Sequence, residues 1–180
     1  MHRSHDRQRV NTRHSIRTRP APWMFLLATG IFFCDWITKE WVLANFDLGE
    51  SVPVLPGFLY WTYVRNDGIA FGLLQGNNAL TGFLVVLILG VAGYWARHLC
   101  WERVGVNVFG GLVLGGALGN LVDRIRHGYV VDFVDVDLGF MRWPAFNVAD
   151  CSICIAMGLM LLLTFCGVPV IREPERTESG

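Results

Sequence analysis

Two aspartates stand where an apolar chain should least tolerate them: Asp132 within Gly128-Tyr-Val-Val-Asp-Phe-Val134, and Asp150 at the end of Phe146-Asn-Val-Ala-Asp150. Asp150 is followed by 21 residues without a formal charge, Cys151 through Ile171. At about 1.5 Å per residue that run crosses a hydrocarbon core of roughly 30 Å. A carboxylate at the mouth of such a helix, with a second one upstream, points to chemistry. Two carboxylates around one water suit peptide-bond hydrolysis. When they lie close, like-charge repulsion and a low-dielectric setting make the pair share one proton. The ionised member takes a proton from water as it attacks the scissile carbonyl; the protonated member hydrogen-bonds the carbonyl oxygen and assists the leaving amine. No Ser–His–Asp arrangement or His-x3-His metal spacing competes, because His2, His5, His14, His98 and His127 all lie in the N-terminal arm or near span ends.

The elements that must position these groups follow from hydropathy. The chain has 180 residues, of which 53% are hydrophobic and 17% charged, with a mean hydropathy of +0.40. That length suits one domain, and the hydropathy is high for a soluble one. Charges leave four long gaps: Pro20–Cys34, Gly68–Ala96, Val104–Val122 and Cys151–Ile171. The last three each accommodate a full span, the second of them starting near Ala79. The first gap spans only if its helix runs on through Asp35, Lys39 and Glu40 to about Asn45. Four transmembrane helices are therefore expected, over about 22–45, 79–97, 104–124 and 148–171. Residues 1–21 read as a disordered arginine-rich arm and 172–180 as a tail. Six arginines lie in the first 20 residues, and Arg97, Arg103, Arg172 and Arg176 flank the short turn and the last span. The positive-inside rule then puts both termini and that turn in the cytoplasm, and the two longer loops outside. The arm is read as a topology determinant rather than a nucleic-acid tail.

The first outer loop changes character. Phe58-Leu-Tyr-Trp-Thr-Tyr-Val64 is aromatic and β-favouring, Asn66-Asp67-Gly68 supplies turn chemistry, and Ile69–Leu74 follows as a second strand candidate. A small β-element on the membrane surface is expected, with Tyr60, Trp61 and Tyr63 at headgroup level. In the third span Gly111, Gly115 and Gly119 form a ridge that lets a neighbouring helix approach closely, and Gly128 makes its stop. Cys151 and Cys154 have metal or redox spacing, but within an apolar helix they read as two small buried thiols.

Plainer roles stand beside the chemical ones. Asp150 in a first helical turn complements the helix dipole by about 0.3–1 kcal/mol, and Asn147 supplies the N-cap. Asp35 and Lys39 are an i,i+4 pair worth roughly 0.2–0.5 kcal/mol at an exposed surface. If residues 129–138 are extended, Asp132 shares a face with Val130, Val134, Val136 and Leu138, whereas Asp135 and Asp137 share an edge that can face water. A short amphipathic helix over the same residues is the alternative. A carboxylate on an apolar face requires a partner, a metal or a water. Convergence favours the chemical reading. Asp35 and Lys39, then Asn120, Asp123 and Arg124, then Asn147 and Asp150 all fall at the outer ends of their helices, with Asn66 and Asp132 in the adjoining loops. One polar pocket at one depth is what a site looks like.

From about Pro22 to Phe165 the chain resembles the lipoprotein signal peptidases (signal peptidase II) of bacterial inner membranes. The resemblance rests on Asp35-x3-Lys39, Asn66-Asp-Gly-Ile-Ala-Phe71, Gly115-Gly-Ala-Leu-Gly-Asn120-x2-Asp123-Arg124, Val131-Asp132-Phe133 and Phe146-Asn147-x-Ala149-Asp150, in that order. It implies a fold of four transmembrane helices with an extracytoplasmic β-cradle and a short amphipathic segment. It implies Asp132 and Asp150 as the catalytic pair, Asn66, Asn120, Arg124 and Asn147 as polar residues of the active site, and Asp35, Lys39, Asp123 and Gly116 in support. The implied substrate is a diacylglyceryl-modified prolipoprotein, cut just before the lipidated cysteine, with no metal or organic cofactor. Membrane phospholipid is the surrounding partner, nucleic acid is not one, and the expected state is a monomer. Ile69, where the family commonly has a small residue, and the long arginine arm are the departures. A small transporter or channel is the competing class, disfavoured because no ionisable residue lies in the inner half of any span except at the cytoplasmic turn. A scaffold that docks on the glycine ridge would leave the aspartates unexplained.

Overall fold

The computed structural model describes residues 19–68 and 78–172, with the side chain of Asn78 excluded. The arginine arm through residue 18, the strand candidate Ile69–Leu74 and the tail from residue 173 lie outside the described residues. The elements are α1 (Pro22–Asn45), β1 (Ser51–Leu55), β2 (Leu59–Asn66), α2 (Asn78–Ala96), α3 (Val104–His127), β3 (Val130–Asp137), β4 (Arg142–Phe146) and α4 (Val148–Phe165). Among the described residues, three helices are long and apolar enough to cross a membrane: Ala79–Ala96, Val104–His127 and Val148–Phe165. Their outward surfaces carry Phe83, Ile88, Tyr94, Ile155, Leu161 and Phe165, all exposed, which suits a hydrocarbon solvent.

α3 is the central helix, packed on both α1 and α4, and its glycines are the reason. A Cβ added at Gly115 would lie 2.6 Å from the Ala28 carbonyl oxygen and 2.8 Å from the Ile31 Cβ, and one at Gly111 would lie 3.0 Å from the Met24 carbonyl. A Cβ at Gly116, on the other side, would overlap the Ser152 hydroxyl and sit 2.6 Å from the Ala149 carbonyl. The expected ridge of Gly111, Gly115 and Gly119 thus lies against α1, and Gly116 opens a second close approach to α4. At the far end Asn107 of α3 accepts the Ala21 N–H (2.7 Å) and donates to the Trp101 carbonyl (2.6 Å), fixing the start of α1. Pro22 opens that helix, where its missing N–H is no loss.

The four strands form one antiparallel sheet in the order β1-β2-β3-β4. β2 pairs β3 from Leu59 opposite Val136 to Asn66 opposite Val130, with a register shift between Trp61 and Val64. Residues 130–137 are therefore strand, not amphipathic helix. Val42, Tyr63, Val131 and Phe133 make the core beneath the sheet, where the Trp61 ring stacks on Phe133 at 5.2 Å.

Several expectations need correction. α3 runs on past the expected span end at 124 to His127, while Gly128, at a φ of 81°, is the expected left-handed stop. α4 stops at Phe165 rather than 171, because Gly167 turns at φ 67° and the chain then runs back to bridge Leu99 through Ile171. Tyr63 is core, not headgroup-facing. Asp135 is buried rather than at a wet edge, accepting from Thr62 (2.9 Å) and Arg142 (2.7 Å). Cys154 is exposed and Cys151 half-buried, so the pair is not two buried thiols.

Candidate active site

The polar residues singled out by spacing meet where the sheet joins the ends of α1, α3 and α4. Asp132 on β3 is 1% exposed. Its Oδ2 accepts from Asn66 Nδ2 of β2 (2.9 Å) and its Oδ1 from Asn147 Nδ2 (2.7 Å). Asn147 caps α4 and reaches the other carboxyl as well. Its Oδ1 accepts the Asp150 N–H (3.0 Å), while its backbone N–H donates to Asp150 Oδ2 (3.3 Å), which is a reciprocal capping box. Asp150 Oδ1 takes the third donor, Asn120 Nδ2 of α3, at 2.8 Å. Asn147 Nδ2 also lies 3.2 Å from Asn120 Oδ1. The two carboxyls therefore belong to one network with Asn147 between them. The capping role expected of Asp150 is therefore present, within the same network that holds Asp132.

Burial pushes the Asp132 carboxyl up to about 7, and the nearby Asp150 charge adds to it. The amides of Asn66 and Asn147 and the Lys39 charge oppose that rise without cancelling it. Asp132 thus holds its proton to near-neutral pH.

Behind the pair lies a set of buried charges. Lys39 Nζ sits 2.6 Å from Asp35 Oδ2 and 3.1 Å from Asp123 Oδ2, and donates to Asn120 Oδ1 at 2.9 Å. Asp35 and Lys39 are 0% and 1% exposed, so the surface-pair reading of that i,i+4 spacing is excluded. Arg124 donates to the Gly68 carbonyl (2.7 Å) and to the Asn120 carbonyl (3.2 Å), while the Gly68 N–H returns to Asn66 Oδ1 (3.1 Å). Every site residue expected from the sequence is in this assembly. Gly116 takes part by letting α4 approach. Missed by sequence reasoning were Ser152, which donates to the Ala149 carbonyl (2.7 Å) against Gly116, and the backbone amides of Val131 and Ala149. Ser152 had a signal, being a small polar residue facing a glycine-rich helix; the amides have none. Among the described residues no three His, Cys, Asp or Glu side chains gather in a metal-binding group.

A helical membrane bundle joined to a small antiparallel sheet, with buried ionisable groups at the junction, is also the architecture of solved proteins. Two bacterial membrane enzyme structures superpose with TM-scores of 0.74 and 0.73, at 29% and 30% identity. They cover 88% and 83% of this chain, and 93% and 97% of their own. The class is a membrane enzyme. The model of the family described as Signal peptidase (SPase) II matches residues 27–166. The lipoprotein signal peptidase of Shewanella sediminis is 41% identical over 162 residues, 88% of each chain. That of Shewanella pealeana is 43% identical over 147 residues, 79% of this chain and 84% of its own. The chain belongs to the signal peptidase II family and is a membrane-embedded protease.

Proposed function

We propose that this protein is an aspartic endopeptidase that removes signal peptides from diacylglyceryl-modified prolipoproteins, cutting just before the lipidated cysteine. The observation that carries this reading is Asn147: its side chain donates to Asp132 and its cap box holds Asp150, so one residue joins the two carboxyls. Asp132, raised to about 7, is the protonated member that donates to the scissile carbonyl oxygen. Asp150 lies at the N-terminus of α4 with both oxygens accepting N–H groups, and is the member suited to negative charge; it takes the proton from the attacking water. Asn66, Asn120 and Asn147 hold the carboxyls, and Arg124 holds the Gly68 carbonyl beside Asn66. No metal or organic cofactor enters this reaction.

The setting proposed is the bacterial inner membrane, with α1 as a fourth span. Its 24 residues reach about 36 Å, and Asp35 and Lys39 are hidden from lipid by α3 and α4. Arg97, Arg103 and Arg172 at the opposite end support an orientation with both termini in the cytoplasm and the site toward the outer leaflet. The sheet then serves as an extracytoplasmic cradle over a monomer, with an amphipathic segment completing it. The test is cleavage of a diacylated prolipoprotein by the purified protein in detergent, with a chelator present. Cleavage before the lipidated cysteine is expected, and its loss in both Asp132→Asn and Asp150→Asn. Retained activity in either variant would remove the aspartic mechanism.

A further inference from the structure

The buried charges behind the pair do more than neutralise one another. Asp123 Oδ2 accepts the N–H of Val131, the residue before Asp132, at 3.0 Å. Asp35 Oδ1 accepts the N–H of Ala149, the residue before Asp150, at 2.8 Å. Lys39 lies between these carboxylates and is in contact with both. We propose that Lys39 and Asp123 are positioning residues: one ammonium fastens together the two carboxylates that grip the peptide N–H preceding each catalytic aspartate, and thereby sets the separation of the reacting carboxyls. The proposal rests on the reading of Asp132 and Asp150 as the catalytic pair.

Sheet geometry shows why such a grip is needed. β4 pairs with β3 only from Val134 to Asp137, so at Val131 the sheet has a neighbouring strand on the β2 side alone, where Arg65 stands opposite. On the open side two side chains replace the missing strand. Asp123 takes the Val131 N–H, and Asn147 Nδ2 approaches the Val131 carbonyl at 3.4 Å. β3 is thus tied to α3 by Asp123 and to α4 by Asn147, at the residue adjoining Asp132. On the other side Asp35 anchors the second amide of α4 to α1. Three ionised groups taken out of water are costly, and a well-packed apolar cluster would serve stability as well. Their arrangement instead fixes two backbone segments from different elements relative to one ammonium. A displacement of about 1 Å between reacting groups can cost about 100-fold in rate.

The experiment compares full-length wild type, Asp123→Ala, Asp123→Asn and the double variant Asp35→Asn/Lys39→Met, in detergent with a diacylated prolipoprotein. Asn keeps an oxygen acceptor for the Val131 N–H, and the double variant keeps one for Ala149 while leaving fewer unpaired charges. Thermal melts in detergent select the folded preparations. Asp123→Ala is expected to lower kcat about 100-fold with KM little changed, and Asp123→Asn to recover most of that loss. A merely structural role would not give that split. The second readout is the Asp132 carboxyl band in an infrared titration, identified by its absence in Asp132→Asn; it needs no turnover. Charged groups facing Asp132 are Lys39 from α1, Arg124 from α3 and Asp150 from α4. Loss of the Lys39 charge is therefore expected to move the band's midpoint to higher pH in the double variant. Unchanged kcat in Asp123→Ala, no recovery with Asn, or an unmoved midpoint would each overturn the positioning role. Activity retained in Asp132→Asn or Asp150→Asn would instead overturn the catalytic reading beneath it.

Discussion

At the scale of single residues, Asp132 and Asp150 differ in surroundings more than in chemistry. Asp132 is enclosed by strands and amides, and its carboxyl is raised to about 7. If it is the acid, the active form is present below that pH and is lost above it. Cleavage rates should therefore fall on an alkaline limb centred near pH 7, a value belonging to the pair rather than to one oxygen. A kcat–pH profile with a flat plateau to pH 9 would refute this. The same group contributes to stability with the opposite sense to an ordinary carboxylate. The folded state keeps the proton to higher pH than the unfolded chain, so stability declines as pH rises from about 4 to 7. Asp132→Asn should lack that component of the slope. For Asp150 the cap and the chemistry separate by substitution. Asp150→Asn keeps an acceptor for the Asn147 N–H and should stay folded while losing about 10²–10⁴-fold in rate. Asp150→Ala should lose the same activity and roughly 1 kcal/mol of stability besides, measured as a lower melting temperature.

At the scale of elements, α3 decides whether the site can assemble at all. Gly115→Ala would drive a methyl into the Ala28 carbonyl, and Gly119→Ala would place one 2.5 Å from Asp35 Oδ2. Each should cost about 1–3 kcal/mol of stability, the second with loss of activity as Asp35 shifts. Gly158 on α4 is the control: a Cβ there meets nothing within 4 Å, so Gly158→Ala should be neutral or stabilising by about 0.5–1 kcal/mol. Melting temperatures of the three variants in one detergent separate these outcomes. The glycine ridge, the Asn147 cap and the Gly128 stop were legible, because each has a local signature in spacing or turn chemistry, whereas the residues of β3 read either as a strand or as a short amphipathic helix. Other features had no such signature. Asp135 is buried through Thr62 of β2 and Arg142 of β4, partners brought in by pairing that no local pattern encodes. The reversal after Phe165 depends on Gly167, and an uncharged run through Ile171 conceals it. Convergence of Asn66, Asn120 and Asn147 was foreseen as a common depth; which oxygen takes which amide is fixed only by packing.

At the scale of the whole molecule, the proposed function makes location the source of specificity. The ionisable site is confined to one end of a bundle whose outward faces are apolar, so a substrate must present its scissile bond at one depth. A signal peptide's apolar helix lies along such a surface, and two acyl chains, at about 0.8 kcal/mol per buried CH₂, hold the modified cysteine at the same leaflet. Under the proposed function, lipid would act as a ruler that brings the bond to Asp132 and Asp150. A matched precursor without the diacylglyceryl group has lost the ruler but not the peptide. Measured side by side in the same nanodiscs, its kcat/KM should fall at least about 100-fold, the factor ascribed above to misplacing reacting groups by about 1 Å. Supplying free diacylglycerol should not restore it, because an untethered lipid fixes no depth for the cysteine. Equal cleavage of both precursors would mean that peptide sequence alone positions the bond, and the membrane-depth account of specificity would have to be abandoned.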